Sequence, residues 1–171
     1  PSGVVQFLPG WGHEVGAALV QHPGIQLILF TGSRAVGLSI FKTASQVPSG
    51  QRFIKHVVAE MGGKNAVIID EDADLDAAIQ GCLVSAFGYG GQKCSAASRL
   101  IIHEAVYERL VPRLAAAVDR LVLGDPADPA TDVGPLINAD AQQRLSQAMA
   151  RAKEVADVVY QYPSARTPTR G

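Results

Sequence analysis

Three places in this chain combine residue types and spacing that can do chemistry. The first is Cys94, which closes the run Gly88-Tyr89-Gly90-Gly91-Gln92-Lys93-Cys94. A thiol on a glycine-rich loop is open to a substrate, and a helix end or a cation such as Lys93 favours the nucleophilic thiolate. For a lone cysteine the commoner state is a buried small hydrophobe. Cys82 illustrates that state, because Leu75, Ile79, Cys82 and Ala86 recur at helical spacing. No apolar pattern surrounds Cys94. The second place is Glu60, just before Met61-Gly62-Gly63. A carboxylate at a strand end can act as a general base on water, and glycines beside it let a ligand approach the backbone. An isolated Glu at such a junction is more often a plain surface residue. The third is Phe30-Thr31-Gly32-Ser33, with Gly37 one turn later. Backbone N–H groups and the positive end of a helix dipole would suit an anion there. On this segment alone an ordinary strand-to-helix turn with an N-cap Ser is the commoner explanation.

These groups need elements to hold them. Val4, Val5, Phe7 and Leu8 before Pro9-Gly10 read as a strand and a turn, and Val15 to Val20 as a short helix. Ile25 to Phe30 is a nearly continuous apolar run, which suits a parallel strand covered on both faces. Ser33 can then N-cap a helix through Val36, Ile40 and Ala44. Strands follow at 53–59 and 65–69, and Asp72 or Asp74 caps the helix that carries Cys82. After the Cys94 loop come a strand at 99–103 and a helix with Val106, Leu110, Leu114, Ala117 and Leu121 on one side. Pro112 should kink that helix or mark its first turn. A last helix spans about 139–155. Strands alternating with helices imply an α/β fold with a largely parallel sheet. The segment Tyr160–Gly171 is aperiodic and rich in Pro, Ser, Thr and Arg, and is expected to be disordered.

Composition narrows the classes. The chain has 171 residues, 47% hydrophobic and 18% charged, which is ordinary globular composition. Net charge is −1 and the basic residues are scattered, against nucleic acid or an anionic membrane as partner. No apolar run approaches the roughly 20 residues of a membrane span. Pro1–Val5 does not read as a signal peptide or as a natural start. Two cysteines make no disulfide framework and fit a reducing cytoplasm. His13, His22, His56 and His103 show no metal-ligand spacing, so no metal is expected. The acids Asp70, Glu71, Asp72, Asp74 and Asp76 are read as a turn and a helix start rather than a metal cluster.

In order and spacing, these segments resemble the aldehyde dehydrogenase superfamily from Pro1 to about Glu154. The resemblance is carried by Phe30-Thr31-Gly32-Ser33-x-x-Val36-Gly37, by Glu60-x-Gly62-Gly63-Lys64 and by Gly91-Gln92-Lys93-Cys94. Asp72-Ala73-Asp74-Leu75 and Gly134-Pro135 also agree. The resemblance implies a partial α/β fold of that family. Residues 1–62 would be the C-terminal part of a Rossmann-like NAD(P)-binding domain, 63–158 part of the catalytic domain, and 159–171 a disordered or non-native tail. It implies NAD as cofactor, with NADP the alternative. Ser33 and Gly32 would lie at the pyrophosphate, Gly12 and Gly37 near the adenosine half, and Gly62 at the hinge between the domains. Cys94 would form a thiohemiacetal with an aldehyde and then a thioester, which water activated by Glu60 would hydrolyse.

Gly62-Gly63-Lys64-Asn65-Ala66 and Gln92 to Arg99 look most like the 1-pyrroline-5-carboxylate dehydrogenase branch, which oxidises glutamate γ-semialdehyde in proline catabolism. The implied partner is a small-molecule aldehyde, and the full-length protein would be a homo-oligomer. Family members are about three times as long. Their further cofactor and oxyanion residues fall outside this chain, so the isolated piece is expected to be inactive. The competing expectation is a non-catalytic nucleotide-binding or oligomerising remnant. An acyl-phosphate reductase fits less well, since it has no use for a water-activating Glu60.

Overall fold

The structure is a computed structural model and describes residues 1–163. The chain divides into two compact units, Pro1–Gly62 and Gly63–Gly171.

In the first unit, Val4, Val5, Phe7 and Leu8 are exposed and form no strand, contrary to the expectation from their apolar character. A strand needs a neighbour to take its backbone hydrogen bonds, and the ladder in this unit is formed elsewhere. A π-helical turn, Gly12–Gly16, runs into the short helix α1 (Ala17–Gln21). Strand β1 (Leu27–Gly32), helix α2 (Arg34–Ala44) and strand β2 (His56–Met61) make a β-α-β unit. The strands pair in parallel, with Thr31 opposite Glu60 and Gly32 opposite Met61. Ser33 caps α2, its Oγ accepting from the Val36 N–H at 3.3 Å. Helix α2 packs on both strands. It comes close enough to β2 that a Cβ on Gly37 would lie 2.8 Å from Met61 Sδ. Leu27 and Leu29 stay exposed, so the run read as covered on both faces is covered on one only.

The second unit repeats the pattern. Strand β3 (Asn65–Ile69) pairs in parallel with β4 (Ala97–Ile102), and between them lie α3 (Leu75–Phe87) and the Cys94 loop. The two strand pairs are separate two-stranded sheets, both parallel, as an α/β fold of parallel strands shared between two partial domains requires. Asp74, rather than Asp72, caps α3 by accepting from Asp76 N at 2.9 Å and Ala77 N at 3.2 Å. His103 leaves the strand and caps α4 (Glu104–Asp119), Nδ1 accepting from Ala105 N at 3.3 Å. Pro112 sits mid-helix, not in the first turn. Ile69, Leu75, Ile79, Cys82, Val106 and Leu110 form the core, with Leu110 fully buried. Helix α5 (Ala139–Val155) begins at the Asn138 cap, whose Oδ1 accepts from Ala141 N at 2.8 Å. Tyr160 and Tyr162 were expected in a disordered tail. Instead Tyr160 Oη donates to Asp119 Oδ1 at 2.6 Å and Tyr162 Oη to the Leu121 carbonyl at 3.1 Å. The expectation for 164–171 lies outside the described residues.

Candidate active site

In the first unit, Gly32, Ser33, Glu60 and Gly62 lie at the carboxyl ends of β1 and β2, whereas Gly37 lies within α2 and Gly12 in the π turn ahead of α1. Glu60 is exposed at the end of β2, in register with Thr31, one residue before the Gly32-Ser33 turn. Ligands of open parallel sheets bind outside such carboxyl ends. Gly32 carries no Cβ where one would come 2.5 Å from Phe30 Cζ. Gly12 opens the π turn and Gly62 follows β2, and a Cβ at either would meet nothing within 4 Å. The Ser33 hydroxyl oxygen serves the α2 cap, and its own O–H remains a donor for a ligand.

The end of α1 is tied down by a residue the sequence reading did not single out. Lys55 is 7% exposed, and its Nζ donates to the carbonyls of Val20 and His22, both at 2.6 Å. An ammonium at a helix C-terminus satisfies carbonyls left without intrahelical donors and complements the dipole. Its only sequence signal was a lysine two places ahead of the run Val57-Val58-Ala59, where a polar residue is easily taken for a surface one.

In the second unit, α3 ends at Phe87, and a tight turn, Gly88–Gly91, swings the chain towards Cys94. The backbone enters the left-handed region at Tyr89 (φ 55°), Gly90 (φ 63°) and Gly91 (φ 69°). A Cβ on Gly91 would stand 2.9 Å from the Ala86 carbonyl oxygen, so this turn needs glycine for space as well as for φ. Gln92 then locks the loop from outside. Its Nε2 donates to the Pro135 carbonyl at 3.3 Å and its Oε1 accepts from Ile137 N at 2.9 Å. The chain closes a turn in which Ala96 N donates to the Lys93 carbonyl at 3.0 Å. Cys94 sits in this turn with its side chain exposed.

Beside Cys94, between the end of α3 and the turn, lies an open cleft of about 370 Å³ lined by Val84, Ser85, Tyr89, Lys93, Ser95 and Ala96 among others. Lys93 Nζ stands 5.6 Å from the centre of the Tyr89 ring, a cation–π contact on the rim. The cleft thus offers an ammonium and the three hydroxyls of Ser85, Tyr89 and Ser95 beside apolar walls, and Cys94 is the chain neighbour of two of its lining residues, Lys93 and Ser95. Cys82 is 2% exposed in the core, and burial pushes its thiol above the ordinary range. The two cysteines therefore differ as the sequence reading expected.

The acidic run is accounted for by local structure. Asp70 Oδ1 accepts from Glu71 N at 2.8 Å, Asp74 caps α3, and Asp76 forms an ion pair with Arg113. Among the described residues no group of His, Cys, Asp or Glu could hold a metal ion, and no helix is long and apolar enough to cross a membrane.

Comparison with known proteins places the chain in a family. The Aldehyde dehydrogenase family profile matches residues 1–170, further than the motifs alone, which reached about Glu154. The chain is 50% identical over 145 residues to 1-pyrroline-5-carboxylate dehydrogenase of Bacillus subtilis (strain 168), covering 85% of this chain and 28% of the relative. It is similar to the crystal structure of 1-pyrroline-5-carboxylate dehydrogenase from Thermus with bound NAD. That match has a TM-score of 0.82 and 46% identity, over 86% of this chain and 28% of that one. Proline utilization A from Bdellovibrio bacteriovorus matches with a TM-score of 0.89 and 44% identity, over 94% of this chain and 17% of that one. The chain thus spans between a quarter and a third of the length of the curated relatives it matches. With the profile extending over nearly every residue, the chain belongs to the aldehyde dehydrogenase family.

Proposed function

We propose that this chain carries the nucleophile and the water-activating base of an NAD-dependent dehydrogenase that oxidises L-glutamate γ-semialdehyde, the open form of 1-pyrroline-5-carboxylate, to glutamate. The observation that carries the reading is the exposed Cys94 thiol, presented by the Gly91-Gln92-Lys93-Cys94 turn beside an open cleft. The substrate is supported by the 50% identity to a 1-pyrroline-5-carboxylate dehydrogenase. Lys93 on the cleft rim suits an aldehyde that also bears a carboxylate.

The residues at the ends of β1 and β2 fit a dinucleotide. The Gly32-Ser33 turn at the start of α2 offers backbone N–H groups, a hydroxyl and the positive helix end to a pyrophosphate. When bound, NAD supplies the hydride acceptor. Cys94 attacks the aldehyde carbon to give a thiohemiacetal, and loss of hydride from that carbon leaves a thioester on Sγ. Glu60 takes a proton from water, which adds to the thioester carbonyl. Sγ then leaves as thiolate and the product as a carboxylate. Glu60 and Cys94 belong to different units, and their assignment to one reaction rests on the matched motifs. A cytoplasmic homo-oligomer completes the reading, supported by the two free cysteines and by the family.

The test is NADH formation from 1-pyrroline-5-carboxylate by the full-length chain. Cys94→Ala should abolish it. Glu60→Gln should keep one rapid turnover of NADH and slow the steady state by about 10²–10⁴-fold, the usual worth of a general base. Steady NADH production by Cys94→Ala would overturn the proposal.

A further inference from the structure

We infer that Asn65 is a positioning residue for the nucleophile, its side-chain amide holding the turn that presents Cys94. This rests on Cys94 being the nucleophile, and goes beyond it by naming the group that sets its geometry. Asn65 Nδ2 donates to the Cys94 carbonyl at 2.8 Å and to the Ala96 carbonyl at 3.2 Å. A side-chain amide has two N–H donors, so each carbonyl can take its own proton. The reverse orientation of the amide would set Oδ1 against two carbonyl oxygens, so the network leaves one choice.

The surroundings are shaped for this contact. Gly63 lies so near that a Cβ there would be 3.0 Å from the Cys94 carbonyl oxygen and 3.1 Å from Asn65 Nδ2. The β3–β4 ladder shifts register at this point: Asn65 is opposite Ala97, yet Ala66 is opposite Arg99. At such an irregularity the backbone ladder is interrupted and side chains can take over the pairing. Asn65 does so in one direction. Arg99 does so in the other, its Nε donating to the Lys64 carbonyl at 3.1 Å and its Nη2 to the same oxygen.

The carbonyl that Asn65 holds belongs to Cys94 itself, so the bond orients the peptide plane next to the Cα from which Sγ projects. The turn is otherwise exposed, and water alone would leave that plane free to rock. A nucleophile misplaced by about 1 Å can lose about 10² in rate. Asn65 touches neither substrate nor reacting atoms. Its effect passes through Cys94.

The experiment compares Asn65→Asp and Asn65→Ala in the full-length chain, with Cys94→Ala as control and 1-pyrroline-5-carboxylate and NAD as substrates. Asn65→Asp keeps the shape, removes both donors and turns a carboxylate towards two carbonyl oxygens. Its kcat and its rate of first-turnover NADH formation should fall together by about 10–100-fold, with the KM for NAD unchanged. Asn65→Ala should lose less, because water can reach the freed carbonyls. Both should keep melting temperatures close to that of the parent. The inference is overturned if the folded variants keep kcat within about twofold, or if activity falls only with the folded fraction. Should Asn65→Asp not fold, Asn65→Ala decides alone. If neither folds, Asn65 is a folding residue and the inference fails. NADH formation by Cys94→Ala would bring down the nucleophile reading itself, separately from any result at Asn65.

Discussion

At the scale of single residues, the two cysteines show how environment separates identical side chains. Cys94 is exposed on a turn, while Cys82 packs among Ile69, Leu75 and Leu110 in the core. Iodoacetamide added to the native chain should alkylate Cys94 and spare Cys82 until urea is added, as mass spectrometry of the peptides would show. Equal labelling of both without denaturant would contradict the buried placement. Burial also raises the Cys82 thiol, so the folded state holds its proton more tightly than the unfolded one. The stability this contributes is fully present below the unfolded thiol value of about 8.5 and is lost as pH rises through the higher folded value. Urea midpoints should therefore fall between about pH 7 and about pH 10. Cys82→Ala should flatten that fall while lowering the midpoint at neutral pH.

At the scale of elements, the pieces that position the candidate site were legible where local rules decide. The spacing of Val36, Ile40 and Ala44 after Ser33 predicts α2 with its cap, and the stripe Leu75-Ile79-Cys82 predicts α3. Such signals act over one helical turn, and neighbours in sequence suffice to satisfy them. The strands were less legible. Val4 to Leu8 has strand-like composition but finds no partner, and Ile25 to Phe30 yields a strand that is covered on one face. The Cys94 loop depends on glycine geometry that motif spacing only hints at. Gly91→Ala places a side chain at φ +69° and 2.9 Å from the Ala86 carbonyl. It should lower stability by roughly 1–3 kcal/mol, read from thermal or urea unfolding. An unchanged midpoint would mean that the turn relaxes without cost.

At the scale of the whole molecule, the exposed apolar side chains of the strand pairs stand out. Leu27, Leu29 and Val58 in the first unit, and Ile68 and Ile101 in the second, face solvent. Apolar groups gathered on one surface are uncommon in monomers and mark places that associate. The 171-residue chain by itself should bind the dye ANS and scatter light increasingly with concentration. A monodisperse, dye-silent chain would contradict this.

The family motifs, the candidacy of Cys94, Glu60 and Ser33, the contrast between the two cysteines and most helix boundaries are all legible in the order of residues along the chain. Each of these depends on residue types a few positions apart. Tertiary structure alone decided the parallel register that sets Thr31 opposite Glu60, the buried hold of Lys55 on the end of α1 and the clasp of Asn65 on the Cys94 turn. Those contacts join residues 29 to 35 positions apart, and no periodicity or cap encodes them. They exist because backbone donors and acceptors must be satisfied wherever folding has brought the chain together.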